Sequence, residues 1–332
     1  MEYVIITVVF FTFMLVYFKI ANKYNIIDKP NHRSAHTEIT LRGGGIIFPI
    51  AYLFFIGYQA FFNDYRFSWN NSLEPNFWIF GGGLLTICFI SFVDDVIDLS
   101  TKIRLIFHFI AVTLLLYFLN AFQLLPVWAI PICYILIIGI LNAYNFMDGI
   151  NGMSGVYSLV VLGSLWYVNE NVVSFVDADF IIYPLLASVV FLFFNFRKKA
   201  KCFLGDIGSM GIAFWIIALL SLLMLKTGQI KWVLFLMVYG VETILTIIER
   251  LRLKENIFDA HRRHLYQLFA NEKKVSHVFV SSAYAAIQLL INVIVISSNW
   301  SDLTIFSVIL LPTVVFYLIV KVTVKKQISI TN

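Results

Sequence analysis

The sequence has 332 residues, of which 60% are hydrophobic and 13% are charged, and its formal net charge is +5. This composition excludes an ordinary soluble domain and indicates a polytopic membrane protein. The three cysteines show neither paired nor metal-ligand spacing, so the sequence predicts no disulfide.

Eleven apolar segments are long enough to cross a bilayer as helices. They are 3–21, 43–61, 76–93, 104–121, 124–141, 152–168, 180–196, 208–225, 229–248, 277–297 and 302–320. A helix satisfies its own backbone in lipid, and the alternation of a membrane barrel is missing from the sequence. We therefore predict an all-α polytopic membrane protein with about 11 transmembrane helices. Residues 1–332 are expected to form a single integral membrane domain, whose first segment is a retained span and not a signal peptide.

Lys and Arg are distributed very unequally between the two sides of this predicted bundle. Twenty-one of the 24 lie in or beside one set of connections or in the tail from Lys321, and three lie on the opposite side. The positive-inside rule therefore places the N-terminus outside and the C-terminus in the cytoplasm. Because the positive charge then reflects topology, we expect no nucleic-acid partner. The five internal cytoplasmic loops are 22–42, 94–104, 142–152, 197–207 and 249–276.

The unusual polar motifs all fall in these five loops. In the first loop, Arg33, His36 and Arg42 precede three consecutive glycines at 43–45. Basic groups beside backbone that permits close approach suit an anionic ligand. Charge anchoring followed by a helix start is the alternative, and this loop alone leaves both open.

The second loop carries three acids at helical spacing, Asp94, Asp95 and Asp98, followed by Lys102. Carboxylates this close repel one another unless a cation neutralises them, so a divalent metal or a cationic ligand is expected. The pattern resembles the acid motifs that hold magnesium diphosphates in prenyl-transfer enzymes. Solvated acids at a helix end are the alternative.

In the third loop, Asn142, Asn145 and Asp148 recur every three residues and so lie near one helix face. These side chains predict a polar pocket, because polar groups without a compensating base are costly at a membrane boundary. Hydrogen bonding between packed helices is the alternative interpretation.

In the fourth loop, Asn195 ends a predicted span and Asp206 stands between glycines at the start of the next one. This arrangement suits a metal carboxylate with phosphate near a helix N-terminus, or an ion pair with the preceding basic run. In the fifth loop, His261, Arg262 and His264 suit a cradle for phosphate oxygens. A surface amphipathic helix is the alternative there.

Taken in order, the motifs of residues 28–267 resemble the polyprenyl-phosphate N-acetylhexosamine-1-phosphate transferases, membrane enzymes of glycosyltransferase family 4. The motifs are DKPNxR with a later histidine and glycines, FVDD, NxxNxxDGxNG, FLFFN with FLGDxGS, and a last loop with histidines. The resemblance implies transfer of a HexNAc-1-phosphate from a UDP-sugar to undecaprenyl phosphate, with release of UMP. It also implies Mg²⁺, with Mn²⁺ as the alternative ion. The expected location is the bacterial cytoplasmic (inner) membrane, with the active site facing the cytoplasm.

The family's functional residues carry over where this sequence matches its motifs. Asp94 and Asp95 match the acid pair that engages the lipid phosphate, and Asp206 matches the aspartate that ligates Mg²⁺. With the loop arguments, the predicted catalytic residues are Asp94, Asp95, Asp148 and His264, and the predicted metal ligand is Asp206. The predicted substrate-binding residues are Arg33, His36, Lys102, Asn145, Asn195, His261 and Arg262.

The sequence departs from the family's repeated-histidine pattern, because Tyr266 and Gln267 occupy the positions of the second and third histidines. This variant resembles the O-antigen and capsule branch and disfavours a muramoyl-pentapeptide substrate. The donor stays open between UDP-GlcNAc and a 6-deoxy UDP-HexNAc, and a homodimer stays open. The polymer would be a cell-surface polysaccharide such as lipopolysaccharide O-antigen or capsule.

Two rival classes are a membrane prenyltransferase of the DDxxD type and a transporter. The later loops offer single aspartates and no second acid-rich motif, which disfavours the prenyltransferase. A transporter would place ionisable groups near the bilayer midplane. Glu242 lies inside a predicted span but close to its cytoplasmic end, where it either lines the site or reaches the interface.

Overall fold

A computed structural model describes residues 1–28, 39–62, 75–97, 99–256 and 262–331, and these are predominantly helical. In chain order the helices are α1 Glu2–Lys23, α2 Ile47–Phe62, α3 Phe77–Val96, α4 Thr101–Phe118, α5 Ala121–Leu124, α6 Ala129–Met147, α7 Met153–Asn171, α8 Asp179–Asn195, α9 Gly205–Thr227, α10 Met237–Arg252, α11 Leu265–Gln267, α12 His277–Ser297 and α13 Asp302–Thr331. The 3₁₀ helices Gly44–Ile46 and Ile230–Leu236 lead into α2 and α10, and the π-helical turn Leu268–Glu272 follows α11. The strands are β1 Ile27–Asp28 and β2 Thr40–Leu41.

Each of the eleven predicted apolar segments corresponds to one long helix. Within the described ranges, nine helices are long and apolar enough to cross a membrane. The prediction of an all-α polytopic membrane protein is therefore confirmed. The other two long helices are α8, which has 17 residues, and α7, which buries polar residues such as Ser158, Ser164 and Asn169. The number of eleven spans and their orientation stay predictions.

Two helices extend further into the predicted loops than the sequence indicated. Helix α3 continues to Val96, so Asp94 and Asp95 belong to its last turn. Helix α6 continues to Met147 and therefore carries Asn145. The polar side chains of the second and third predicted loops thus project from ordered helix ends.

Helix α13 extends well beyond residue 320, where the last predicted span ended. Lys321 and Lys325 lie on this extension, and both pair with Glu249 of α10. The distance from Lys321 Nζ to Glu249 Oε2 is 2.8 Å. The sequence predicted that the basic tail from Lys321 lies outside the last span. The tail is instead part of α13, and Glu249 of α10 pairs with its lysines.

Helix α9 lies at the centre of the bundle, where α3, α6 and α7 pack against it. Every residue from Ile207 to Leu220 is buried, as expected for a helix that is apolar on all sides. The indole Nε1 of Trp215 donates to the carbonyl of Phe180 in α8 at 2.9 Å. Most of α9 thus packs against other helices, whereas its first turn, which begins at Gly205, contacts the polar loops.

A buried polar network joins α7, α12 and the start of α10. Gln288 Oε1 accepts from the Tyr157 hydroxyl at 2.7 Å and from the Val238 N–H at 3.0 Å. Gln288 Nε2 donates to Asn292 Oδ1 at 2.7 Å, and Asn292 Nδ2 donates to Ser164 Oγ at 2.9 Å. A buried polar group without a hydrogen-bond partner would cost roughly 1–3 kcal/mol of stability, and these hydrogen bonds avoid that cost.

Candidate active site

The first and fourth predicted loops form one hydrogen-bonded unit at the start of α9. Strand β1 pairs antiparallel with β2, with Ile27 opposite Leu41. The Phe203 N–H donates to the Leu41 carbonyl at 2.7 Å, and the Gly44 N–H donates to the Phe203 carbonyl at 2.8 Å. The chain entering α2 and the chain entering α9 are therefore held side by side.

This close contact requires the consecutive glycines. A Cβ atom on Gly45 would lie 2.0 Å from Gly208 Cα, and one on Gly44 would lie 2.7 Å from Cys202 Sγ. Gly43 has a φ of 77°, in the left-handed region that favours glycine. The close approach expected at these glycines is thus made to other parts of the protein. The structure thus shows the helix start after the first loop, and the interpretation of this loop as a site for an anionic ligand stays a prediction.

Asp95 connects this unit to α3. Its Oδ1 lies 2.7 Å from Arg42 Nε and accepts from the Asp206 N–H at 3.0 Å, and its Oδ2 accepts from the Ile207 N–H at 3.1 Å. The Asp95 side chain has no exposed area. A carboxylate that accepts the first free N–H groups of a helix caps it and complements the helix dipole. Asp95 therefore holds the N-terminal turn of α9 in place.

Asp94 lies next to Asp95 in the sequence but has different partners. Its Oδ2 lies 2.8 Å from Arg104 Nη1, and its Oδ1 accepts from the Leu99 N–H at 2.8 Å. The Asp94 side chain is 8% exposed. The acid pair is therefore divided between two arginines, Arg42 for Asp95 and Arg104 for Asp94.

Asp206 is the most accessible of these three acids, with a side chain that is 20% exposed. Its Oδ1 lies 3.4 Å from Arg42 Nη2, so Arg42 bridges Asp95 and Asp206. We call Arg42, Asp95 and Asp206 the acid junction. Arg42 belongs to the first loop motif but was not among the predicted site residues. Its position directly before the glycines was the available signal, whereas its partner Asp206 lies 164 residues away.

Asn145 and Asp148 bring the end of α6 to the same turn of α9. Asn145 Nδ2 donates to Ser209 Oγ at 3.1 Å, and Ser209 Oγ donates to the Asp206 carbonyl at 3.4 Å. Burial raises the pKa of Asp148 well above its usual range, and the nearby charges of Asp206 and Asp95 raise it further. Asn145 thus lies against the turn of α9 that carries Asp206.

The donor atoms near the acid junction suit Mg²⁺ only when a substrate supplies the other ligands. Among the residues that the structure describes, no group of three His, Cys, Asp or Glu side chains could hold a metal ion. Mg²⁺ commonly takes one or two protein carboxylates and completes its octahedron with water and substrate phosphates. Asp206, with its partly exposed carboxylate, fits that role.

Asn195, predicted to bind substrate, lies inside the protein. It is 4% exposed, its Oδ1 accepts from the Gly152 N–H at 2.6 Å, and its Nδ2 donates to the Cys202 carbonyl at 2.8 Å. The side chain thus joins the third loop, before α7, to the fourth loop, before α9. In the structure, Asn195 therefore connects two loops of the site through buried hydrogen bonds.

The fifth loop reaches the third loop through Tyr266. The Tyr266 hydroxyl donates to the Phe146 carbonyl at 2.9 Å, and its N–H donates to Glu242 Oε1 at 3.3 Å. His264, which is 2% exposed, has its Nδ1 3.6 Å from the same Glu242 oxygen. Glu242 was noted in the sequence without a role, because a single acid in an apolar helix does not reveal its partners.

The remaining predicted residues divide into two groups. Lys102 is exposed in the first turn of α4, and Arg262 is half-buried just before His264. Four others lie outside the described residues: Arg33, His36, Asp98 and His261. The roles predicted for all of these residues stay predictions.

Residues 77–225 match the model of a family described as glycosyl transferase family 4. The matched segment is 149 of the chain's 332 residues, and over it the chain is similar to this family. A probable undecaprenyl-phosphate N-acetylglucosaminyl 1-phosphate transferase of Bacillus subtilis (strain 168) is 25% identical over 265 residues, 75% of this chain and 70% of the relative. The undecaprenyl-phosphate alpha-N-acetylglucosaminyl 1-phosphate transferase of Escherichia coli (strain K12) is 25% identical over 289 residues, 80% of this chain and 75% of the relative. A phospho-N-acetylmuramoyl-pentapeptide-transferase of Petrotoga mobilis is 28% identical over 195 residues, 51% of this chain and 56% of the relative.

The segment matched by glycosyl transferase family 4 runs from α3 through most of α9. It includes the acids Asp94, Asp95, Asp148 and Asp206. The family resemblance inferred from the motifs is therefore confirmed. Arg42 and Glu242, which the sequence argument did not assign to the site, lie outside the matched segment.

Proposed function

We propose that this protein transfers a HexNAc-1-phosphate from a UDP-sugar to undecaprenyl phosphate, giving undecaprenyl-diphosphate-HexNAc and UMP. The observation that carries the proposal is the meeting of Asp206, Arg42 and the Asp148 turn at the start of α9. A carboxylate that could hold a metal ion suits a diphosphate, because the ion would contact the diphosphate oxygens, and Arg42 holds that carboxylate in place. The names of the Bacillus subtilis and Escherichia coli relatives support the same reaction.

The acceptor lipid and the membrane fold belong together in this proposal. A polyprenyl chain partitions into the bilayer, so its phosphate is presented at the membrane surface. We propose that the acid junction, between the end of α3 and the start of α9, lies at that surface. The distribution of Lys and Arg supports a site on the cytoplasmic face. We therefore propose a protein of the bacterial cytoplasmic membrane with an outer N-terminus and an inner C-terminus.

Asp206 is the residue proposed to hold Mg²⁺ together with the donor diphosphate. The bound ion would neutralise negative charge that develops on the UMP leaving group. Mn²⁺ is expected to substitute, because it prefers the same oxygen ligands. The support for this role is the donor chemistry and the partial exposure of Asp206.

The chain's own residues orient the reacting groups. Arg42 fixes the Asp206 carboxylate relative to Asp95 and α9. Asp94, beside Arg104, orients the lipid phosphate or accepts its proton. An oxygen of the lipid phosphate forms a bond to the β-phosphorus as that phosphorus loses its bond to the bridging oxygen, which leaves with UMP.

Direct attack by the lipid phosphate is favoured over a double displacement through a phosphorylated Asp95. The Asp95 side chain has no exposed area, and its oxygens accept from Arg42 and from the first N–H groups of α9. A covalent role would require all of these contacts to break.

Two donors are proposed, UDP-GlcNAc and a 6-deoxy UDP-HexNAc. The curated relatives named for N-acetylglucosaminyl transfer support the first donor. The replacement of two histidines by Tyr266 and Gln267 supports the second, and both replacements are bonded into the fold. Gln267 Oε1 accepts from the His264 N–H at 3.2 Å, and Tyr266 bonds to the Phe146 carbonyl. The proposed product is the first lipid-linked intermediate of a surface polysaccharide such as O-antigen or capsule.

The proposed reaction is tested with detergent-purified protein, undecaprenyl phosphate, Mg²⁺ and a panel of UDP-HexNAc donors that carry radiolabelled sugar. We expect label in an organic-extractable lipid, release of one UMP per sugar transferred, and preference for one donor. Consumption of a prenyl diphosphate without UMP would instead support the prenyltransferase class. Label that crosses the membrane of sealed vesicles unchanged would support a transporter.

A further inference from the structure

Glu242 is a carboxylate inside α10 that the proposed reaction does not use directly. The residue is 1% exposed. Its Oε1 accepts from the Tyr266 N–H at 3.3 Å and lies 3.6 Å from His264 Nδ1, and its Oε2 accepts from the Tyr284 hydroxyl. One side chain therefore joins a membrane helix, the fifth loop and α12.

Tyr266 carries this connection onward to the third loop. Its hydroxyl donates to the Phe146 carbonyl at 2.9 Å. A Cβ atom on Gly149 would come within 2.2 Å of the same hydroxyl oxygen, so the tyrosine lies directly against this turn. Asp148 stands between Phe146 and Gly149 in the sequence. Tyr266 thus links Glu242 to the turn that carries Asp148.

We propose that Glu242 is a positioning residue for the transfer reaction: it fixes His264 and, through Tyr266, the Asp148 turn. The inference rests on the proposed function, since it assigns these groups to the donor diphosphate. Reactive side chains on a loop need supporting contacts from rigid elements to stay in productive geometry. The fifth loop receives such support from α10.

An apolar side chain could fill the same space without the cost of burying a carboxylate. What Glu242 adds over such a residue is a pair of acceptor oxygens, one facing the loop and one facing α12. Glutamine keeps that capacity, since its carbonyl oxygen can accept from Tyr266 and its amide can donate to the Tyr284 hydroxyl. The proposal therefore predicts that hydrogen-bond geometry matters here more than negative charge.

The experiment compares the variants Glu242→Leu, Glu242→Gln and Gln288→Leu. Gln288 is a matched control, because it is equally buried, bonds the start of α10 and has no observed contact with described residues of the fifth loop. We expect Glu242→Leu to lower kcat on the order of 100-fold, the size expected for misplaced reacting groups, with little change in KM for the UDP-sugar. Glu242→Gln should recover most of that loss, and Gln288→Leu should lower thermal stability but keep kcat.

A double-mutant cycle separates positioning of His264 from an unrelated loss. If Glu242 acts through His264, then Glu242→Leu with His264→Ala should be little worse than His264→Ala alone. Fully additive losses would overturn the proposal. So would a Glu242→Gln variant as impaired as Glu242→Leu, or equal kcat losses in Glu242→Leu and Gln288→Leu.

Hydrogen exchange provides a readout that does not depend on activity and remains decisive if Glu242→Leu is unstable. Tyr266→Phe removes only the hydroxyl and should increase amide exchange in the third loop around Asp148. Glu242→Leu should increase exchange at residues 264–272, and Gln288→Leu should not. Unchanged exchange in both loops would overturn the inference even where wild-type protein is active. Wild-type protein with no transferase activity but with these exchange changes would instead refute the proposed function.

Discussion

Two buried acids each connect distant segments of the candidate site, Asp95 in α3 and Glu242 in α10. Each lies in a helix long and apolar enough to cross a membrane, and each binds chain that is distant in the sequence. Asp95 accepts from Arg42 and from two N–H groups of α9. Glu242 accepts from the Tyr266 N–H and the Tyr284 hydroxyl, with a histidine nearby. The two regions use the same type of group with different partners.

The difference lies in how each negative charge is compensated. A guanidinium and a helix N-terminus offset the charge of Asp95, so its role depends on electrostatics. The observed hydrogen bonds to Glu242 come from uncharged donors, so its role depends on geometry. A neutral amide of the same shape should therefore be damaging at position 95 and well tolerated at position 242. The following substitutions test that contrast around the acid junction.

The largest expected effect is the loss of turnover in Asp206→Asn. Asparagine keeps the shape of the side chain but removes the charge that a divalent ion requires. We expect turnover to fall by about 100-fold or more, the size seen when a group that stabilises developing charge is removed. The thermal unfolding temperature in detergent should change little, because the contact with Arg42 is 3.4 Å long and partly exposed. Full activity of the purified variant would exclude Asp206 as the metal ligand.

Asp95→Asn is expected to lower turnover about as strongly, about 100-fold, through loss of structure at the acid junction. The new amide would present N–H groups to Arg42 or to the first N–H groups of α9, where the carboxylate now accepts. Losing hydrogen bonds to a charged group costs roughly 1.5–3 kcal/mol, so the unfolding temperature should also fall. An inactive variant with wild-type stability would instead indicate that Asp95 takes part in the chemistry.

Arg42→Lys is the matched control for this prediction. Lysine keeps the charge, but one ammonium group cannot reproduce the planar fork that contacts Asp95 through Nε and Asp206 through Nη2. We expect losses of activity and stability in the same direction as for Asp95→Asn, but smaller. Equal or larger losses in Arg42→Lys would show that Arg42 does more than support the two acids.

The order of the helices could be predicted from the sequence because lipid requires continuous apolar segments. Their ends could not, because distant partners decide them. Helix α3 retains Asp95 within its last turn because Arg42 and the start of α9 compensate its charge. Helix α13 keeps Lys321 within its length because Glu249 lies beside it. Local composition indicated a loop in both places.

For the candidate site, too, the sequence predicted which residue types take part but not how their side chains are paired. The motifs predicted which residue types would meet in one site, since five loops of one predicted membrane face carried them. They did not predict that Asp94 and Asp95 would take different arginines, because that depends on which helix each side chain faces. They also did not predict that both polar groups of Asn195 would be used between two loops.

The smallest expected effect is a pH-dependent change of stability in Asp148→Asn. Burial raises the pKa of Asp148 well above its usual range, and the charge of Arg42 opposes this rise only in part. A raised pKa in the folded state means that the folded protein binds this proton more tightly than the unfolded chain does. Ionised Asp148 therefore costs stability above the raised pKa, and this cost fades as the pH falls through that value. In metal-free protein, Asp148→Asn should unfold at a higher temperature than wild type at alkaline pH, by a margin that shrinks on acidification. A margin that stays constant across the pH range would mean that the charge of Asp148 is compensated in the folded state after all.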